Sequence, residues 1–310
     1  MIISASRRTD IPALYPDWFI NRLKAGFLLT RNPLNRTQIS QINLAPDKVD
    51  CIVFWTKNPQ PIFKYLNYLN SYYYYFHFTL TPYNSTIEVN LPDKKRLLDF
   101  FKKLSDIIGP ERIIWRYDPV FYTEYFNYST HLKYFEDIAS NLSGYTEKCI
   151  YSFLTVYKKC EKNMKSIKFC RPPVEDIIKL SEGFARISES AGIKLQTCAE
   201  DYDLTCFGIT RGKCIDDELI TNISEKQLHL TKDRNQRVSC LCVPSVDIGA
   251  YNTCTHCCLY CYANYDHDIA YKKFINHNPY SEILTDGLKG DETIIEKKDI
   301  KKDNNQLKLF

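Results

Sequence analysis

The chain has 310 residues, 44% of them hydrophobic, enough to bury the core of one large domain; a single (β/α) barrel takes about 250 residues. Forty-one basic against 37 acidic residues leave a net charge of +4, too small to argue for a nucleic-acid partner on charge alone. No apolar run approaches the roughly 20 residues of a membrane helix, and the start, Met1-Ile-Ile-Ser-Ala-Ser-Arg7, lacks the features of a secretion signal, so a cytoplasmic protein with no membrane contact is expected.

Apolar, β-branched or aromatic runs predict strands over Ile2–Ser6, Cys51–Trp55, Tyr74–Phe78, Ile113–Tyr117, Lys148–Phe153 and Ile193–Thr197. Helical periodicity predicts helices near Ala13–Ala25, Pro61–Leu69, Asp93–Ile108, Ser129–Ser140 and Val174–Ala191. Pro92-Asp93 suits a helix start, while Gly109-Pro110 and Gly192 suit helix ends. This alternation predicts an α/β fold with a parallel sheet and right-handed crossovers: a partial (β/α)6-type barrel over residues 1–197. Polar residues follow most strands, and barrel sites form at the carboxyl ends of strands. Arg7, Asp10, Lys57, Arg116, Asp118 and Glu200 are therefore expected over one mouth, with Arg7, Asp10, Lys57 and Asp118 as the favoured catalytic candidates because they abut strand ends.

Thirteen cysteines in a chain without a secretion signal point to metal binding rather than disulfides. Residues 198–265 form a cysteine-rich segment integrated with the barrel. Cys198, Cys214, Cys240 and Cys242 supply four thiolates for a second, closed 4Fe–4S cluster, with a zinc knot as the rival. Cys51, Cys149, Cys160, Cys170 and Cys206 read mostly as small buried hydrophobes. The run Asn252–Asn264 then contains Cys254-x3-Cys258-x2-Cys261. Three thiolates on one tight loop suit three corners of a 4Fe–4S cube and leave one iron without a protein ligand. A structural zinc built on the pairs Cys254-x2-Cys257 and Cys258-x2-Cys261, or on His256, is the alternative; Cys257 is off the triad spacing.

Residues 266–310 read as a C-terminal extension. From Lys289 to Asn305 it is charged and polar, as expected of a solvated, disordered tail. It ends in Gln306-Leu307-Lys308-Leu309-Phe310, which resembles the short peptide with which bacterial replication and repair proteins dock onto the sliding clamp. Gln306, Leu307, Leu309 and Phe310 are the expected anchors, ordering on the partner's surface.

The cysteine loop resembles that of the radical S-adenosylmethionine (AdoMet) enzymes, in which an aromatic residue, here Tyr260, precedes the last cysteine. The resemblance implies that the methionyl amine and carboxylate take the open iron, and that one electron, drawn from a separate donor, gives a 5′-deoxyadenosyl radical. Further stretches include Ser4-Ala-Ser-Arg7-Arg8-Thr9-Asp10-Ile-Pro12, Val53-Phe-Trp55-Thr56-Lys57-Asn58-Pro59, Arg116-Tyr-Asp118-Pro119, Cys198-Ala-Glu200, Cys240-x-Cys242 and Asp247-Ile-Gly249-x-Tyr251. Together they resemble the domain of unknown function 1848 family across nearly the whole chain. That family implies a radical-SAM-like cysteine cluster at the carboxyl end, and supplies no reaction. Because the triad follows the sixth strand rather than the first, the resemblance implies a permuted radical SAM barrel. With no Gly-Gly pair in the chain, Ser4, Ser6 and Arg7, beside Tyr260, become the expected AdoMet contacts. The loop's wording is also similar to that of DNA-lesion-repairing radical enzymes such as spore photoproduct lyases, which implies a nucleic-acid substrate in repair or modification. The alternative is a non-enzymatic iron–sulfur or zinc protein that senses or supports through a docked partner.

Overall fold

Side-chain alternation along the parallel strands decides what each face of the sheet meets. A computed structural model describes residues 1–297 except 225 and 229. The chain runs β1 (Ile2–Ala5), α1 (Ile11–Leu14), α2 (Pro16–Ala25), β2 (Phe27–Arg31), β3 (Gln38–Asn43) and β4 (Cys51–Thr56). A 3-10 helix (Gln60–Leu69) leads to β5 (Tyr74–Thr79), α3 (Lys94–Ile108), β6 (Ile113–Val120), β7 (Tyr122–Thr123), α4 (Tyr128–Leu142) and β8 (Lys148–Phe153). There follow α5 (Lys158–Met164), β9 (Phe169–Cys170), α6 (Val174–Ser190), β10 (Lys194–Thr197) and β11 (Thr210–Arg211). The last elements are α7 (Asp217–Ser224), β12 (Val246–Asp247), α8 (His267–Ile275) and β13 (Thr293–Glu296).

Eight strands form one sheet in the order β11-β10-β8-β6-β5-β4-β1-β12, with every neighbouring pair parallel. Its six long central strands are the six expected from the sequence. The sheet is open: β11 and β12 are its edges and do not pair with each other among the described residues. A mixed α/β architecture on a large parallel sheet is therefore what the chain builds, without barrel closure.

The strands are apolar on both sides, as a sheet covered on both faces requires. Ile52, Phe54, Phe76, Trp115, Tyr117 and Tyr151 face the helices, where they share one core with Phe19 of α2, Phe101 of α3, Phe135 of α4 and Phe184 of α6. Their neighbours Ile2, Val53, Tyr75, Ile114 and Ile150 face the other way. There they pack against Cys214, Ile215, Ile220, Leu228, Cys242 and Val243. The cysteine-rich segment thus covers the second face of the sheet. Helix α3 starts where Asp93 accepts from the Arg96 N–H at 3.0 Å and ends at Gly109, whose φ of +94° suits glycine.

A second sheet, β13-β3-β2, was not anticipated. β2 and β3 are an antiparallel hairpin, and β13 pairs in parallel with β3. The segment from Lys289 onward, expected as a solvated, disordered tail, is exposed over Thr293–Glu296 but ordered there, as a strand on the open edge of β3. Gln306, Leu307, Leu309 and Phe310 lie outside the described residues. Among the described residues no helix is long and apolar enough to cross a membrane.

Candidate functional site

The Cys254–Cys261 loop lies against the segments that follow the carboxyl ends of β1, β4 and β5, and its contacts define the site. The Asp10 carboxylate accepts from the Ala13 N–H at 3.0 Å, capping α1, and from the Lys57 N–H at 2.7 Å. Its Oδ2 also meets His256 Nε2 at 2.9 Å, so one carboxylate joins the β1 end, the β4 end and the cysteine loop. Asn90 donates from its side chain to the Thr255 carbonyl at 2.8 Å and from its backbone to the His256 carbonyl at 3.1 Å. Tyr15 donates to the Thr253 carbonyl at 2.6 Å, Asn163 to the Asn264 carbonyl at 2.9 Å, and Asn264 to the Cys254 carbonyl. The ends of the loop are tied by the Asn252 N–H donating to the Ala263 carbonyl at 2.9 Å.

Within this frame Cys254 and Cys258 are buried and Cys261 is half-buried. Burial pushes all three thiols up; Cys254 also feels the charges of Cys261 and Cys258, and Cys258 that of Cys261. The Cys254 sulfur accepts from the His256 N–H, and the Cys261 sulfur from the backbone at Ala263 and Asn264. The Lys57 ammonium favours the thiolate of both Cys258 and Cys261. Cys257 has a φ of +55° and its thiol meets Asn90, which takes it out of the triad.

Glu88, missed in the sequence, is the centre of this site. The carboxylate is buried and accepts from Lys57 Nζ at 2.7 Å, from Thr81 Oγ1 at 2.8 Å, and from Lys94 and the Tyr260 hydroxyl. Residue 88 also pairs with Cys258 in an isolated antiparallel bridge. No motif marks it: its meaning comes from Lys57 and Tyr260, both far away in the chain. Tyr260 is buried among Tyr83, Phe121 and Ile87 with its hydroxyl on Glu88. Its ring therefore packs in the protein interior, which leaves backbone atoms for a cofactor contact.

The polar residues of the remaining strand ends meet over the sheet face opposite the helices. Trp55 stacks on His77 with centroids 4.3 Å apart and has the guanidinium groups of Arg7 and Arg116 at 5.3 and 5.0 Å from its ring. Arg116 pairs with Asp118, which also accepts from Ser152. Glu200 accepts from the Phe153 N–H at 2.8 Å and pairs with Arg171 at 2.9 Å; burial raises its carboxyl. Ser4 and Ser6 donate to Asp247 at 3.0 and 2.7 Å, so both hydroxyls are committed to β12. The same carboxylate accepts the Arg7 and Gly249 N–H groups at 2.8 and 3.0 Å. Asp247 is a second residue that sequence reading missed.

The other four cysteines also come together. Cys198 Sγ lies 3.5 Å from Cys214 Sγ, and the Cys242 sulfur accepts from the N–H groups of Cys214 and Ile215 at 3.3 and 3.4 Å. A hydrogen bond with Cys242 holds the Cys240 thiol down to about 7. Among the described residues, no three His, Cys, Asp or Glu side chains already surround a common centre as a metal cage. What the two groups provide is the donor chemistry: thiols paired with backbone N–H groups and cations, as thiolate ligands require.

The sequence pattern of the family described as domain of unknown function (DUF1848) matches residues 2–263. No curated protein and no solved structure matches the chain.

Proposed function

This chain belongs to the domain of unknown function 1848 family, and from that premise we propose that it is a radical AdoMet enzyme whose 4Fe–4S cluster is held by Cys254, Cys258 and Cys261. One observation carries the reading: three buried or half-buried thiols share one clamped loop beside the carboxyl ends of parallel strands, while Cys257 of the same loop is turned to Asn90. Three protein ligands leave one iron for a substrate or cofactor. The carboxyl ends of parallel strands are where α/β folds place their ligands. In the same reading the open sheet is a partial, permuted (β/α)6 barrel, with β1 following the cluster loop in space.

When bound, such a cluster supplies the electron that cleaves the AdoMet sulfonium to a 5′-deoxyadenosyl radical. This chain's own residues position and shield. Lys57 places a cation beside the ligand thiolates, and Glu88 holds Lys57 in place. Asp10 and His256 fix the loop to α1 and β4. Arg7, Arg116 and Asp118, with Trp55 between the two arginines, form a largely buried charged and aromatic cluster beneath the cysteine-rich segment. The likeness of the cysteine loop to that of DNA-lesion-repairing radical enzymes and the clamp-like Gln306–Phe310 peptide support a nucleic-acid substrate. The carboxyl-terminal Gln306–Phe310 peptide is the proposed tether to a sliding clamp, and an external electron donor is required.

The test is anaerobic reduction of reconstituted protein with AdoMet, following 5′-deoxyadenosine by chromatography. Formation that disappears in Cys258→Ala supports the reading. No deoxyadenosine from protein that carries a reducible cluster overturns the enzymatic reading and leaves the non-enzymatic alternative.

A further inference from the structure

We propose that Cys198, Cys214, Cys240 and Cys242 hold a single tetrahedral divalent ion of the zinc class, a structural centre separate from the Cys254–Cys261 loop. The four come from three segments brought to one face of the sheet: Cys198 one residue past β10, Cys214 between β11 and α7, and Cys240 and Cys242 ahead of β12. The Cys198–Cys214 separation favours one ion over a cubane. Ligands about 2.3 Å from a tetrahedral ion stand about 3.8 Å apart, close to the 3.5 Å between Cys198 and Cys214. A cubane adds its own iron–iron edges and spreads its thiolates further. The triad differs in this respect, since its thiols act on one another only as charges through space, whereas the four here are linked by hydrogen-bonding contact from Cys198 through Cys214 and Cys242 to Cys240.

The surroundings match a dianionic four-thiolate centre. Arg116 Nη1 lies 2.8 Å from Cys214 Sγ, and Arg7 has a buried Nη2 with no hydrogen-bond acceptor among the described residues. Burial opposes the Arg7 charge, and Cys242 and Cys214 are the first groups to offset it. Arg116 also pairs with Asp118 and Arg7 lies near Asp247, and a four-thiolate centre would add two negative charges beside both guanidinium groups. The Cys242 sulfur already accepts two backbone N–H groups. The Cys214 carbonyl is fixed by the Tyr75 hydroxyl at 2.8 Å and by His77 Nε2 at 2.7 Å. Such an ion would fasten the segment between β10 and β12 to the sheet, where regular structure is sparse.

This inference is independent of the chemistry at the triad, and its test reads metal, not turnover. Full-length protein is expressed with zinc and analysed by elemental mass spectrometry. About one zinc per chain is expected, kept when Cys254, Cys258 and Cys261 are all replaced by Ala and lost in Cys242→Ser. Because Cys242→Ser risks misfolding, cobalt(II) substitution of the triple-Ala variant gives a second readout: the intense visible bands of a tetrahedral cobalt thiolate. Iron with sulfide instead of zinc in the triple-Ala variant, a Cys198–Cys214 disulfide in metal-free protein, or the absence of those cobalt bands would each overturn it.

Discussion

Glu88 shows how one buried charge organises its surroundings. Burial alone would raise its carboxyl, but the ammonium groups of Lys57 and Lys94 and their hydrogen bonds outweigh that and hold it at about 2. The folded value is below the ordinary 4.5, so the group's contribution is fully present above pH 4.5 and is lost as pH falls towards 2. Glu88→Gln keeps the shape, removes the charge, and leaves Lys57 beside Cys258 without its counter-ion. A loss of about 3 kcal/mol is expected from denaturant unfolding at pH 7, shrinking as both proteins are taken from pH 4.5 towards 2. A constant difference across that range would show that Glu88 does not act through its charge. The sequence pointed to Lys57 as a strand-end polar residue, yet gave no route to its partner, since 31 positions separate them. The same limit hid Asp247, whose role depends on β1 lying alongside it.

Continuous apolar runs made the six long strands legible, because a strand buried on both faces must be apolar nearly throughout. β11 and β12, of two residues each, are too short to show any period; pairing with neighbours already in place creates them. β12 nevertheless carries Asp247, and the turn beyond it passes so close to β1 that only glycine fits at residue 249. A Cβ there would meet Ser6 Oγ at 2.0 Å and Ser6 Cβ at 2.6 Å. Gly249→Ala must therefore push Ser6 off Asp247 and shift the start of the cysteine segment's last stretch. About 2 kcal/mol of destabilisation is expected, read as a lower melting temperature. Ser6→Gly in the same chain removes the obstructing atoms and should recover part of it. An unchanged melting temperature in Gly249→Ala, or no recovery in the double variant, would show that the close approach is not what fixes this residue.

At the scale of the whole molecule, the family match ends at residue 263, but the packed structure continues beyond it. The sequence suggested an extension leading into a solvated tail, and its polar composition hid the fact that its backbone does the binding. Trp18 Nε1 donates to the Ser281 carbonyl at 2.8 Å, Asn21 to Pro279 at 3.0 Å and Arg22 to Tyr280 at 3.1 Å. Tyr15 meets Phe274 and His277 edge-on, and Ile283 packs with Leu29 and Ile39 under the hairpin. The extension thus covers α2 and the β2–β3 hairpin, and β13 closes the edge of β3. Truncation after residue 265 strips three donors of their acceptors, at about 1–3 kcal/mol each where the site stays buried, and uncovers the Leu29–Ile39 pair. A loss of about 5 kcal/mol or more is expected, enough to unfold a domain of ordinary stability. Among the described residues, truncation after residue 290 removes β13 with its pairing to β3 and the Arg31–Glu292 pair, and should cost less. Urea unfolding of the two truncations beside the full chain checks the order. Equal stability of the 265 truncation and the full chain would mean that the domain ends where the family match does.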